Sequence, residues 1–195
     1  MLPSAHADTF ARDHLPPAEQ WPRFLFDLPE LRYPDRLNCV SRLLDDWIAR
    51  GHGDRPCLIS PAESLTYGAL ADRVNRIANI LTGELGLVSG NRVLLRSPNT
   101  PMMVAVYLAV MKAGGIVVAT VPLLRARELV HPIDKAEIRL AFCNAAQIDD
   151  LREAQKLAPR LERIVTFGRP DAELETMLPR ARADFTTCPT ASDDV

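Results

Sequence analysis

The stretch RVLLRSPNTPMMVAVYLAVMKAGGIVVATV, Arg92 to Val121, constrains the fold more than any other part of the chain. RVLLR reads as a strand. Thr100 followed by Pro101 is a helix N-cap with proline at the first helical position, where its missing N–H is harmless. Val104, Tyr107, Leu108 and Met111 fall on one face of that helix, which is expected to point inward. Lys112 sits in the last turn, where a cation meets the negative end of the helix dipole, with its head expected to snorkel into water. Gly114 and Gly115 end the helix, and IVVATV is a β-branched run of the kind buried on both faces of a sheet. Strand, helix and strand with short links make a βαβ unit, which implies parallel pairing and a right-handed crossover.

The same alternation runs through the rest of the chain. Asn38 can cap a helix to about Arg50, with Val40, Leu43, Leu44, Trp47 and Ile48 on one face. Cys57 to Ser60 is a short strand, and Thr66 can cap a longer helix with Leu70, Val74, Ile77, Ala78 and Leu81 as its buried stripe. A helix from Glu128 to about Ala136 contains Pro132 and is expected to kink or split there. Arg139 to Cys143 is a strand, Ile148 to Ala158 an amphipathic helix, and Arg163 to Phe167 the last clear strand. A short helix through Leu174 to Leu178 follows. The pattern predicts an α/β fold, an open and mostly parallel sheet with helices on both faces. Three regions are expected: an extended Pro/aromatic arm over 1–37 lying against the domain, an α/β subdomain over 38–168, and a short helix and tail over 169–195.

Length and charge bound the function. A chain of 195 residues suits one domain with a real core, and its formal net charge of -2 gives no electrostatic case for nucleic acid or an anionic membrane. No run of about 18 apolar residues occurs, and MLPSAHADTFARDH lacks the basic and apolar regions of a signal peptide. A cytoplasmic, reduced location is expected. Cys39, Cys57, Cys143 and Cys188 have no ligand-like spacing, and three of them read as small buried thiols.

Motifs that carry chemistry are scarce in this chain. There is no G-x-x-x-x-G-K-[ST] loop, no G-x-G-x-x-G after a strand, and no G-x-S-x-G elbow. His6, His14, His52 and His131 show no zinc-like spacing. The pairs Asp45-Asp46, Asp149-Asp150 and Asp193-Asp194 read as solvated surface. No catalytic residue and no metal ligand is assigned.

Two longer segments carry a resemblance: LTYGALADRVNRIANIL, Leu65 to Leu81, and GNRVLLRSPNTPMMVAVYLAVMKAGGIVVATVPLLRARELVHPIDKAEIRLAFCN, Gly90 to Asn144. Together they resemble the N-terminal part of the acyl-adenylate-forming enzymes, the superfamily of acyl-CoA synthetases, adenylation domains and luciferases. The arm motif LPPAEQWP and the segment VPLLRARELV are similar to aryl-CoA ligases of the 2-aminobenzoate and benzoate type. The resemblance implies a parent enzyme that joins an aromatic carboxylic acid to AMP, releases pyrophosphate, and passes the acyl group to CoA. ATP, Mg²⁺ and CoA are its implied cofactors. The implied Ser/Thr/Gly-rich ATP loop would follow a segment like TASDDV, Thr190 to Val195, so this chain is expected to be an N-terminal fragment, inactive alone. Arg125 is the candidate for a CoA phosphate contact, with Arg127 beyond it. Self-association through surfaces left uncovered is expected. The residues alone also fit a second reading, a stand-alone α/β small-ligand-binding or interaction module without catalysis.

Overall fold

The computed structural model describes residues 2–194. The helices are α1 (Phe10–Asp13), α2 (Asp46–Ala49), α3 (Tyr67–Asn79), α4 (Pro101–Lys112), α5 (Ala126–Lys135), α6 (Ile148–Leu157) and α7 (Glu173–Met177). The strands are β1 (Pro56–Ile59), β2 (Ser64–Thr66), β3 (Arg92–Arg96), β4 (Ile116–Thr120), β5 (Leu140–Asn144) and β6 (Arg163–Phe167). β1 and β2 form an antiparallel hairpin, while β4-β3-β5-β6 is a four-stranded parallel sheet. Thr66 and Thr100 cap α3 and α4, each accepting at 3.1 Å from the N–H three residues on.

Alternation along the strands separates two cores. Val93, Leu95, Phe142, Val165 and Phe167 pack with the buried stripe of α3 and with α4 and α7. Leu94, Ala141 and Cys143 face the other way, onto Leu129 and Ile133 of α5 and Leu151 and Ala154 of α6. The parallel sheet with helices on both faces therefore matches the sequence expectation. Among the described residues no helix is long and apolar enough to cross a membrane.

Several local expectations are corrected. The fully buried strands are β3 and β5, whereas β4 lies at a sheet edge and is only half-buried. Its β-branched residues suit a strand of either kind. The innermost residues of α4 are Ala105, Val106, Ala109 and Val110, while Tyr107 is exposed. That helix is apolar all round, so spacing does not select its face, and Ala105 and Ala109 let neighbours approach closely. α5 runs unbroken through Pro132. Residues Ser41–Asp45 before α2 are wound as a π turn, which rotates the helix so that Val40 and Leu44 are buried and Leu43 is exposed. In the arm, Phe24 is 62 % exposed and Leu25, Phe26, Leu28 and Tyr33 are also exposed, so these side chains do not lie against the domain.

Lys112 does not snorkel. It is 2 % exposed, and its Nζ donates to Asp45 Oδ1 at 2.7 Å. The Thr187 hydroxyl donates to the other carboxylate oxygen at 3.2 Å, and the Cys188 N–H to the Lys112 carbonyl at 2.9 Å. The chain at 187–188 thus lies across the end of α4 and shuts Lys112 in. Gly114, with φ +81°, makes this possible, because a Cβ there would stand 2.6 Å from the Cys188 sulfur.

The two ends of the described chain meet. Asp8 accepts from the Phe10 N–H at 3.0 Å, from Asn91 at 2.8 Å and from Arg92, whose guanidinium also lies 4.4 Å over the Phe10 ring. Asp194 accepts from Ser4, Ala5, Ala191 and Arg12. Burial pushes both carboxyls up, but these hydrogen bonds outweigh it and hold each below the ordinary 3.8.

Asp45→Ala strands the Lys112 ammonium, and a loss of about 2–3 kcal/mol is expected in urea unfolding, less than for a wholly buried pair because Asp45 is partly exposed. Lys112→Met, which removes the charge instead, is expected to be milder. Depressed carboxyls stabilise the folded state above their unfolded value and cease to do so as pH falls through their folded values. Acidification below 3.8 should therefore release residues 2–14, read as faster amide exchange there than in β5.

Candidate functional site

In an open parallel sheet, ligands gather outside the carboxyl ends of the strands, where neighbouring connections leave toward opposite faces. Here β3 leads into α4 on one face, while β4 and β5 lead into α5 and α6 on the other. The crevice at the carboxyl end of β3 is thus the candidate site. Arg96, the last residue of β3, fills it.

Arg96 is 1 % exposed. Its guanidinium donates to the carbonyls of Val121 at 3.1 Å, Pro122 at 2.8 Å and Leu124 at 2.8 Å, all in the link from β4 to α5. Its Nε donates to the Gln147 carbonyl at 3.4 Å, in the link from β5 to α6, and Asp150 stands 3.9 Å away. One side chain therefore ties two loops to the central strand. Its flat fork of donors matches carbonyls that diverge from two strand ends. Arg92 performs the counterpart at the other end of the same face, donating at 2.8 Å to the carbonyl of Ala136 just after α5.

Around Arg96 the remaining polar groups are ordered. Asn144 is buried at the end of β5, where its side-chain oxygen accepts from the Ala146 N–H at 3.0 Å. Gly168, with φ +92°, lets β6 turn past it, since a Cβ there would lie 2.4 Å from the Asn144 amide nitrogen. Cys143 is fully buried, and desolvation pushes its thiol up to about 12 against the nearby charges of Arg96 and Arg152. Its place in the second hydrophobic core is that of a packing residue. The Thr120 hydroxyl and the Gln147 side-chain oxygen are buried at this edge without a hydrogen-bond partner.

The residues singled out by sequence are dispersed. Arg125 lies at the rim of the crevice, its side chain 81 % exposed, with Nη1 3.3 Å from Asp150. Its N–H donates to Glu128 Oε2 at 2.7 Å, capping α5. Arg127 is exposed nearby. His6 is half-buried in the N-terminal strap of residues 2–12, near Asp194, and burial holds its imidazole below the ordinary value. His14 stacks on Phe10 and His52 leans on Trp47, while His131 is exposed. The aspartate pairs are not idle surface: Asp45 holds Lys112, Asp150 faces Arg125, and Asp194 binds the N-terminal segment. Sequence reasoning missed Arg96, although an arginine closing a fully buried strand is a readable signal.

Among the described residues there is no group of three or more His, Cys, Asp or Glu side chains able to hold a metal ion. The two most deeply buried cations, Arg96 and Lys112, are occupied by carbonyls and by Asp45. A separate cavity of about 840 Å³ lies between the arm and the chain at Ser192 and Asp193, with Trp21, Phe24, Phe26 and Tyr33 among its walls.

The model of the AMP-binding enzyme family matches residues 45–195. The chain belongs to that family. It is 34 % identical over 109 residues to the 3-hydroxybenzoate–CoA ligase of Aromatoleum sp. (strain CIB), covering 56 % of this chain and 21 % of that one. It is 27 % identical over 167 residues to the benzoate–CoA ligase of Thauera aromatica, covering 85 % of this chain and 32 % of that one. Among solved structures, the anthranilate CoA ligase AuaEII in complex with anthranoyl-AMP superposes with a TM-score of 0.77 at 20 % identity, over 83 % of this chain and 31 % of that one. The chain thus spans about a fifth to a third of the length of the curated relatives it matches. The fold is that of the N-terminal subdomain of acyl-CoA synthetase structures, in agreement with the resemblance drawn from Leu65–Leu81 and Gly90–Asn144.

In this member of the AMP-binding enzyme family, Arg96→Lys should not act as a conservative change, because an ammonium cannot reach the divergent carbonyls that the fork serves. A loss of about 2–4 kcal/mol in urea unfolding is expected from the stranded carbonyls. Exchange of amides at 121–125 should rise with it.

Proposed function

We propose that this chain is the N-terminal part of an ATP-dependent, AMP-forming aryl-CoA ligase. The observation that carries the reading is the alignment with benzoate–CoA ligase over most of the chain. In the proposed parent reaction a carboxylate oxygen attacks the α-phosphorus of ATP and pyrophosphate leaves. The CoA thiolate then attacks the acyl carbon, and AMP departs with the bonding electron pair. ATP, Mg²⁺ and CoA are the parent's proposed cofactors, an aromatic acid of the 2-aminobenzoate or benzoate type its substrate, and the cytoplasm its location.

Within that reaction this chain is a scaffold. Charge on a transferring phosphoryl group calls for free cations and N–H donors, and Arg96 and Lys112 are already engaged. The chain alone is therefore proposed to be catalytically silent. Arg125 is the residue proposed to meet a CoA phosphate, since it is exposed at the mouth of the crevice with its guanidinium 3.3 Å from Asp150. The exposed apolar side chains, Phe24 and Leu123 among them, favour self-association at high concentration.

A second reading, a small-ligand-binding module without catalysis, is favoured by one observation, the aromatic-walled cavity of about 840 Å³ at the arm. Separate calorimetric titrations with ATP·Mg²⁺, CoA and 2-aminobenzoate distinguish the two. Silence toward ATP·Mg²⁺ and 2-aminobenzoate, with at most weak CoA binding lost in Arg125→Ala, supports the scaffold reading. Saturable micromolar binding of ATP overturns it. Binding of 2-aminobenzoate alone, lost in Phe24→Ala, supports the second reading instead.

A further inference from the structure

Residues 188–194 contain no helix or strand of the main sheet, yet hydrogen bonds hold them from two sides. On one side the Leu37 N–H donates to the Thr190 carbonyl at 2.9 Å, the Thr190 hydroxyl to the Leu37 carbonyl at 2.9 Å, and the Ser192 N–H to the Asp35 carbonyl at 3.0 Å. On the other side lies the N-terminal segment. There Asp194, whose side chain is 2 % exposed, takes Ser4 Oγ at 2.5 Å and Arg12 Nη2 at 2.8 Å on one oxygen. Its other oxygen takes the Ala5 N–H at 3.1 Å and the Ala191 N–H at 2.7 Å. The Leu2 N–H reaches Asp193 at 3.0 Å.

The segment is itself moored to the loop before β3. Ser89 Oγ accepts from the Ala7 N–H at 3.0 Å and donates to the Ala5 carbonyl at 2.9 Å. The Ser89 carbonyl accepts from the Asp8 N–H at 2.9 Å. Arg12 also donates to the Leu2 carbonyl at 3.0 Å, which folds the segment onto itself. Beneath it lies a cavity of about 320 Å³ walled by His6, Tyr107, Met111, Ile116 and Asp194.

No residue from 2 to 14 belongs to either hydrophobic core. The attachment is polar and peripheral, which is the character of a unit that opens locally while the rest stays folded. We infer that residues 2–12 form a clasp, closed by Ser4, Ala5 and Arg12 on Asp194, which opens as a unit and fixes the course of the chain at 188–194. Arg12 and Ser4 are the positioning residues of this device, and the cavity under the strap is uncovered when it opens.

Amide exchange on the full chain tests the inference, comparing the unmodified protein with the Ser4→Ala/Arg12→Ala double variant. Exchange at 188–194 and at 2–8 is expected to rise together by about tenfold or more, with β5 unchanged. Arg12→Lys, which restores a cation beside Asp194, is expected to return most of the protection. Unchanged exchange at 188–194 overturns the clasp. A parallel rise in β5 also overturns it, because the strap would then be an inseparable part of the global fold.

Discussion

The guanidinium of Arg96 is the contact on which the carboxyl edge of the sheet depends. β3 is the strand that pairs with both β4 and β5, and the loops that leave those two strands for the second face both turn beside it. Those turns leave carbonyls pointing into a crevice that water does not reach freely. A buried carbonyl without a partner is costly, and Arg96 satisfies four of them from one rigid plane. Arg92 does similar service at the far end of α5. The motif RVLLR is therefore a strand with a polar fastener at each end and an apolar middle, and both fasteners lie on the face that receives α5 and α6.

That arrangement shapes the functional reading. The place where an open α/β sheet ordinarily receives a ligand is closed by the protein's own side chain. A second buried cation, Lys112, is committed to Asp45 at the opposite end of α4. Cations in these positions organise the backbone, and the exposed positive charge near the crevice is that of Arg125 at its rim and Arg127 beyond it. A family that handles nucleotides can then use this part of the fold for rigidity, within relatives that are between two and three times as long.

Much of the fold was legible because it is set locally. Thr66 and Thr100 cap the helices where a side-chain oxygen lies three residues before an open N–H, a relation contained in four residues. The alternation of strands and helices is likewise a short-range pattern. What the sequence concealed depended on partners far away. IVVATV reads the same at the edge of a sheet as in its middle, and only the pairing with β3 decides. The uniformly apolar α4 offers no polar face to mark its outside. Pro132 sacrifices one hydrogen bond, to the carbonyl of residue 128 near the exposed start of α5, so the helix survives it. The site itself was less legible than the fold: Arg125 was singled out only by resemblance, whereas Arg96 hid among ordinary strand residues.

The aspartates make the same point more sharply. Three adjacent pairs looked alike as solvated charge, yet each contains one residue with a specific cationic partner far along the chain: Asp45 with Lys112, Asp150 with Arg125, and Asp194 with Arg12. Two of these partnerships link onward. Asp45 also receives Thr187, which brings the returning chain to the end of α4, and Asp194 receives the N-terminal segment, which Asp8 fastens to Arg92 on β3. A continuous polar path therefore runs from the central strand through Asp8, the strap and Arg12 to Asp194, over the outside of the hydrophobic cores. Hydrogen bonds of this kind contribute little net stability each, about 1 kcal/mol, but they specify direction, which apolar contact does not. The cores determine that the sheet forms, and this polar path determines where the two ends of the described chain lie on it.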